Sequence, residues 1–189
     1  MFVTLGLIDM NNQKQLEELF LKRRFRDFKW INPENVVVVS EWVRMKCMFG
    51  CMEYGKNASC PPNTPAADEC RSFFHEYSEG VVFHFEKKLE KPAERHKWAK
   101  GINERLLSLE REVFLAGNPK AFLLFMDSCG ACKNCAEERI KCKNKRVARP
   151  TPEAMAVDVF STVRRLGYPI EVLRDYSKTM NRYSFLLIE

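Results

Sequence analysis

Ala121-Phe122-Leu123-Leu124-Phe125-Met126-Asp127-Ser128-Cys129-Gly130-Ala131-Cys132-Lys133-Asn134-Cys135 runs from an unbroken apolar segment straight into three cysteines, and Cys142 follows seven residues later. The apolar half, preceded by Gly117-Asn118-Pro119, predicts a central buried strand over 121–126. The cysteine half is C-x2-C-x2-C-x6-C, a ligand loop placed at a strand end. Three cysteines at two-residue intervals suit iron–sulfur ligation, because one tight loop can wrap three corners of a cube. The bacterial ferredoxin run is C-x2-C-x2-C-x3-C-P, so the last interval here is longer. Zinc is the rival guest, since C-x2-C pairs also build tetrahedral zinc knuckles. Ordinary packing thiols are a third reading, though free cysteines seldom cluster at ligand intervals.

Working outward, the same alternation of apolar strands and periodic helices recurs. Residues 12–28 predict a helix with Asn12 as a cap and Leu16, Leu19, Phe20 and Leu21 as its stripe. Asn32-Pro33-Glu34-Asn35 is turn chemistry, and Val36–Val39 reads as a buried strand. Thr64-Pro65 predicts a helix start running to about Ser78, followed by a strand over Val81–Phe85. A long helix from about Pro92 to Ala116 carries Trp98, Ile102, Leu106, Leu109 and Val113 on one stripe. Thr151-Pro152 repeats the Thr-Pro start, and strands are expected at Ile170–Leu173 and Tyr183–Ile188. This order predicts an α/β or α+β class with one mixed sheet flanked by helices and two cysteine-rich metal-binding loops. The whole chain, 1–189, reads as a single domain, with the 12–28 helix packing as an appendage.

The second cysteine loop is Cys47, Cys51 and Cys60, at C-x3-C-x8-C and followed by Pro61-Pro62. Three thiolates leave either an open metal position or a fourth ligand from elsewhere. Cys70 and His75 are the nearest candidates, each with a packing or surface reading of at least equal weight. Each cysteine group precedes a Thr-Pro helix start, so helix N-termini are expected to face both groups. Met45, Met48, Phe49, Met52 and Tyr54 could form a dry shell around the first group, or simply pack in the core.

Composition narrows the class. A hydrophobic content of 46% with 14 Phe supports a core that needs no metal to fold. No apolar run approaches a membrane span of about 18 residues, and the start has no basic n-region. Eight cysteines without an export signal point to reduced thiols, metal and a cytoplasmic setting rather than disulfides. The net charge of +6 concentrates at Lys22–Arg26 and at Lys141–Arg149. A nucleic-acid surface is disfavoured for want of a recognition-helix, stacking or zinc-finger signature. The second run instead suits compensation of an anionic cluster or docking of an acidic electron carrier.

Lys46-Cys47-x3-Cys51-x2-Tyr54-Gly55-x4-Cys60-Pro61-Pro62, then Cys129-Gly130-x-Cys132-x2-Cys135, Cys142 and Arg149-Pro150-Thr151-Pro152-Glu153-Ala154-Met155, together carry a resemblance. The chain resembles an uncharacterised family of predicted metal-binding proteins found in anaerobic bacteria and archaea, the domain of unknown function 2284. The likeness runs from about residue 30 to the end. Thr151-Pro152 stand where that family usually has Ser-Met, and Asn144-Lys145 where it usually has His-Pro. The resemblance implies seven metal-binding cysteines, Cys47, Cys51, Cys60, Cys129, Cys132, Cys135 and Cys142, and leaves Cys70 outside the motif. It implies no reaction.

These residues lead to the expectation of an iron–sulfur protein with two 4Fe-4S clusters, acting in electron transfer or redox chemistry in an anaerobe with a redox protein partner. One alternative is an enzyme whose three-cysteine cluster offers an open iron to a small anionic or sulfur ligand. Arg44, Lys46, Lys56 and Arg71 could then hold the anion, and Glu53 or Tyr54 could move a proton. The other alternative is a zinc-stabilised interaction module.

Overall fold

The computed structural model describes residues 4–88, 91, 94–175 and 178–189. Among them, α1 (Thr4–Lys22) leads to β1 (Phe28–Ile31), α2 (Pro33–Val36), α3 (Glu41–Gly50), α4 (Ala67–His75) and β2 (Gly80–Lys87). Then come α5 (Glu94–Leu115), β3 (Phe122–Leu124), two 3-10 turns at Arg139–Lys141 and Glu153–Met155, α6 (Val159–Arg165) and β4 (Met180–Leu187). The four strands form one sheet in the order β1-β2-β4-β3. Every pairing is antiparallel, so the sheet expected to be mixed is not, and the class is α+β.

Helices cover both faces, and this explains the apolar runs. Val81, Phe83, Leu123 and Leu186 meet Leu16 and Phe20 of α1 and Leu106, Leu109 and Val113 of α5. Val82, Leu124, Phe185 and Leu187 meet Cys70 and Phe74 of α4 and Val159 and Val163 of α6 on the other face. A strand buried on both faces cannot alternate apolar with polar, which is why Ser184–Ile188 reads as a continuous run. With Leu16 and Phe20 fully buried, α1 is a layer of the core rather than an appendage, and it starts and ends earlier than 12–28.

Several expected elements differ. Asn12 lies inside α1 and its side chain donates to Asn118 Oδ1 at 2.9 Å, so it caps nothing. The strand expected at Val36–Val39 is the end of α2 plus one isolated bridge, Val39 to Val157, because Asn32 caps a helical turn with Pro33 at its first position. Phe28–Ile31 is the edge strand in its place. Residues 170–173 form no strand. The strand at Phe122–Leu124 pairs only with β4, so it is an edge, not the centre. The expected helix start at Pro92 lies outside the described residues. The helix after Cys60 begins at Ala67 rather than at Thr64-Pro65. Thr151-Pro152 opens only a three-residue 3-10 turn, ended by Ala156 in the left-handed region (φ 58°), and α6 is capped instead by Asp158.

The edge position of β3 places the cysteine loop. Phe125 N donates to Pro150 O at 2.9 Å, which pinches the two ends of the 126–149 excursion together. Two buried polar residues of α5 brace this neck. Asn103 accepts from Met126 N (3.3 Å) and donates to Asp127 O (3.2 Å). Glu110 accepts from Leu123 N (2.9 Å) and from Arg149 Nε (2.8 and 3.1 Å to its two oxygens).

Candidate metal centre

The four cysteines of the second loop, Cys129, Cys132, Cys135 and Cys142, line one small cavity with Ala58, Ser59, Asn144 and Ala148. Two donors reach their sulfurs: Asn144 Nδ2 to Cys132 Sγ at 3.0 Å, and the Ala58 amide to Cys135 Sγ at 3.4 Å. Donors aimed at sulfur stabilise thiolate and tune a bound metal. The cavity measures about 10 Å3. Among the described residues, no three His, Cys, Asp or Glu converge as a set ready to hold a metal ion. A cluster therefore requires this loop to open around it. The donor chemistry nonetheless fits, since soft thiolates with N–H groups at their sulfurs suit iron–sulfur or zinc.

Ala58 belongs to the first cysteine loop, so its amide joins the two groups. Asn63 strengthens the join, donating to Glu137 O (2.6 Å) and accepting from Arg139 N (3.0 Å). Cys60 feels the charges of Cys47, Cys51 and also Cys135. Burial first, and these neighbouring thiols second, push the Cys60 thiol up to about 12. Segments some eighty residues apart in sequence are thus brought side by side.

Within the first loop, Cys47 sits half-buried on the last turn of α3, Cys51 is exposed just after it, and Cys60 is half-buried. Gly55, in the left-handed region (φ 77°), lets the backbone turn so that its amide reaches Pro61 O at 3.1 Å and closes the loop. Cys47 and Cys51 open on a cavity of about 510 Å3 walled mainly by Trp42, Met126, Val157, Phe160, Val172 and Tyr183, with Lys46, Arg182, Glu153, Asp158 and Glu171 as its charged residues. Burial raises the Cys47 thiol, and the Arg44 guanidinium partly opposes this.

Arg44 itself is structural. It donates to Thr64 Oγ1 (3.0 Å), Ala154 O (3.1 Å) and Pro65 O (2.7 Å), tying α3 to the start of α4 and to the 153–155 turn. Arg71 is held by Asp68 and reaches Val39 O, and Lys56 stands 3.9 Å from Glu53. Of the four cations expected near an anion, Lys46 is the one that lines the cavity.

A family model described as "predicted metal-binding protein (DUF2284)" matches residues 29–188. The chain belongs to this family. No curated protein and no solved structure matches it. Membership of the predicted metal-binding family gives metal binding as the expected property and names neither the metal nor a reaction.

In this family member the remaining candidates are displaced from the cysteines. Cys70 is fully buried in the core, its Sγ 3.5 Å from Pro65 O and 3.9 Å from Arg44 Nη2. His75 is exposed at the end of α4. A further histidine, His84, is engaged by Asp27 (2.6 Å) and Asn181 (2.8 Å) and stacks on Tyr183. Met45, Met48, Phe49 and Met52 are exposed, 87% for Met52, so they form no dry shell. Sequence reading missed Asn103, Glu110 and Asn144 as supports of the loop. The first two were visible as polar residues seven apart on the buried side of α5. Among the described residues, no helix is long and apolar enough to cross a membrane.

Proposed function

We propose that this protein is an iron–sulfur protein holding two 4Fe-4S clusters, one on Cys129, Cys132, Cys135 and Cys142 and one on Cys47, Cys51 and Cys60, and that it passes electrons to a redox protein partner. The observation that carries this reading is the shared cavity of the four second-loop thiols with N–H donors directed at two of their sulfurs. Adjacent sites suit electron passage between them, and the Ala58 contact sets the two loops side by side. The exposed Lys133, Arg139, Lys141, Lys143, Lys145 and Arg146 offer a basic surface to an acidic partner. Nucleic acid is not the partner this surface suits, and the setting proposed is the cytoplasm of an anaerobe. When bound, the clusters would supply one-electron chemistry. The chain's own residues hold them, shield them and donate hydrogen bonds to sulfur.

The cavity of about 510 Å3 beside Cys47 and Cys51 favours a second reading, an enzyme that binds a small anionic or sulfur-containing molecule at an open iron. A zinc-stabilised module is the third, favoured by the small volume inside the second loop. Visible absorption of protein purified without air separates the two iron readings from the zinc one, and an exchangeable ligand position at the Cys47, Cys51 and Cys60 site separates the enzyme from the electron carrier. Brown protein with broad absorbance, lost in part in Cys132→Ser and in part in Cys51→Ser, fits two clusters. Colourless protein with stoichiometric zinc overturns the iron reading.

A further inference from the structure

Three thiolates at the first loop leave one coordination position to fill, and the two residues suggested by sequence proximity are turned away. Cys70 is locked in the core beneath Arg44, and His75 is exposed at the far end of α4. Three carboxylates, Glu153, Asp158 and Glu171, line the same cavity as Cys47 and Cys51, and Glu153 is the one singled out by a second observation. Its carboxylate also stands close enough to bear electrostatically on both Cys47 and Cys60.

The backbone holds it there. Arg44 Nη1 clamps Ala154 O to α3 at 3.1 Å, Ser40 N donates to Ala156 O at 2.9 Å, and Val39 bridges Val157. Ala156 takes a left-handed conformation that a non-glycine residue adopts only where its surroundings enforce it, and it is fully buried. Glu153 is therefore the first residue of a turn fastened to the helix that carries Cys47 through Arg44, and to the residues leading into that helix through Ser40 and Val39. Such fixing by neighbouring backbone is what a ligand position needs.

Resting on the iron–sulfur reading, we propose that Glu153 supplies the fourth protein ligand of the Cys47, Cys51 and Cys60 site through a carboxylate oxygen. An oxygen donor is harder than thiolate and holds iron less firmly, so the iron it binds is the one most readily removed or exchanged. That position opens on the cavity of about 510 Å3, whose wall carries Lys46 and Arg182 together with Asp158 and Glu171. A small ligand entering there would displace Glu153 rather than a cysteine.

The test compares wild-type protein, Glu153→Ala and Glu153→Cys, each loaded air-free with iron and sulfide and treated briefly with ferricyanide. The rate of conversion to a three-iron cluster is followed by electron paramagnetic resonance. Refilling with iron-57 then reports the refilled iron's ligand by its Mössbauer isomer shift. Glu153→Ala is expected to lose that iron at least about tenfold faster, and Glu153→Cys at least about tenfold more slowly with a shift typical of all-sulfur ligation. Circular dichroism of the metal-free variants checks that both fold. Equal rates and equal isomer shifts in three well-loaded proteins overturn the role of Glu153 and leave the iron reading standing. Wild-type protein that takes up neither iron nor sulfide overturns both.

Discussion

Arg44 shows how far a residue's neighbours in sequence can differ from its neighbours in space. Next to Lys46 and Cys47 it reads as an anion-binding group, yet its guanidinium is spent on Thr64, Pro65 and Ala154. Arg44→Lys keeps the charge but cannot reproduce a planar fork that serves three acceptors. We expect it to lower unfolding free energy by about 2–3 kcal/mol in a denaturant titration. Cys60, whose thiol is held up to about 12 mainly by burial, is one of several groups, with Cys47, Cys70, Tyr77, Tyr168 and Tyr183, that burial raises in the metal-free protein. A raised thiol pKa means that the unfolded chain ionises first. The stabilisation is therefore complete below the ordinary thiol value of about 9 and drains away as pH climbs towards 12. Denaturation curves of the metal-free protein from pH 7 to 11, on the order of the thiol range, should show that fall, and Cys60→Ala should lessen it while the other raised groups keep part of it. The seven cysteines were legible because ligand spacing is a local property of sequence. Glu153 was not, because its nearness to Cys47 depends on a turn more than a hundred residues away.

At the scale of elements, the second cysteine loop is only as well placed as its neck. Glu110 is 5% exposed and serves both Leu123 N and Arg149, so it joins α5, β3 and the returning end of the loop. Removing it leaves Arg149 unpaired against the protein and a buried strand amide without an acceptor. Glu110→Ala should therefore cost about 3–5 kcal/mol, and weaken metal retention at Cys129 to Cys142 along with it. The long helix was readable from its stripe and its Gly117-Asn118-Pro119 stop, and Val81–Phe85 and Tyr183–Ile188 from their apolar runs. Val36–Val39 misled because β-branched residues mark burial as well as strand. Thr64-Pro65 and Thr151-Pro152 misled because a Thr-Pro pair opens a turn as readily as a helix. Thr151-Pro152 gives no helix N-terminus to face a cysteine group, whereas α4 starts two residues after Pro65.

At the scale of the whole molecule, the sheet with helices on both faces supplies a core that involves none of the seven motif cysteines, apart from Cys129, which packs at the margin of the cluster shared by α1, α5 and the sheet. Fold stability and metal binding should therefore separate. Chelator-treated protein is expected to keep its far-ultraviolet circular dichroism and a cooperative melt, while the 126–149 and 51–63 loops become the first points of proteolytic cleavage. Cooperative unfolding on metal removal would instead class it with small domains that fold around their ion. The sequence order alone showed helices alternating with strands, but not that every pairing is antiparallel or that the loops of Cys47–Cys60 and Cys129–Cys142 touch through Ala58 and Asn63. Strand order and loop-to-loop contact are set by long-range packing, for which a single sequence carries no local signal. The account as a whole rests on inorganic iron being bonded to those two loops. Quantifying iron and acid-labile sulfide per chain in protein purified without air tests this most directly. About eight of each is expected for two 4Fe-4S clusters, and one or two zinc ions with no sulfide would contradict it.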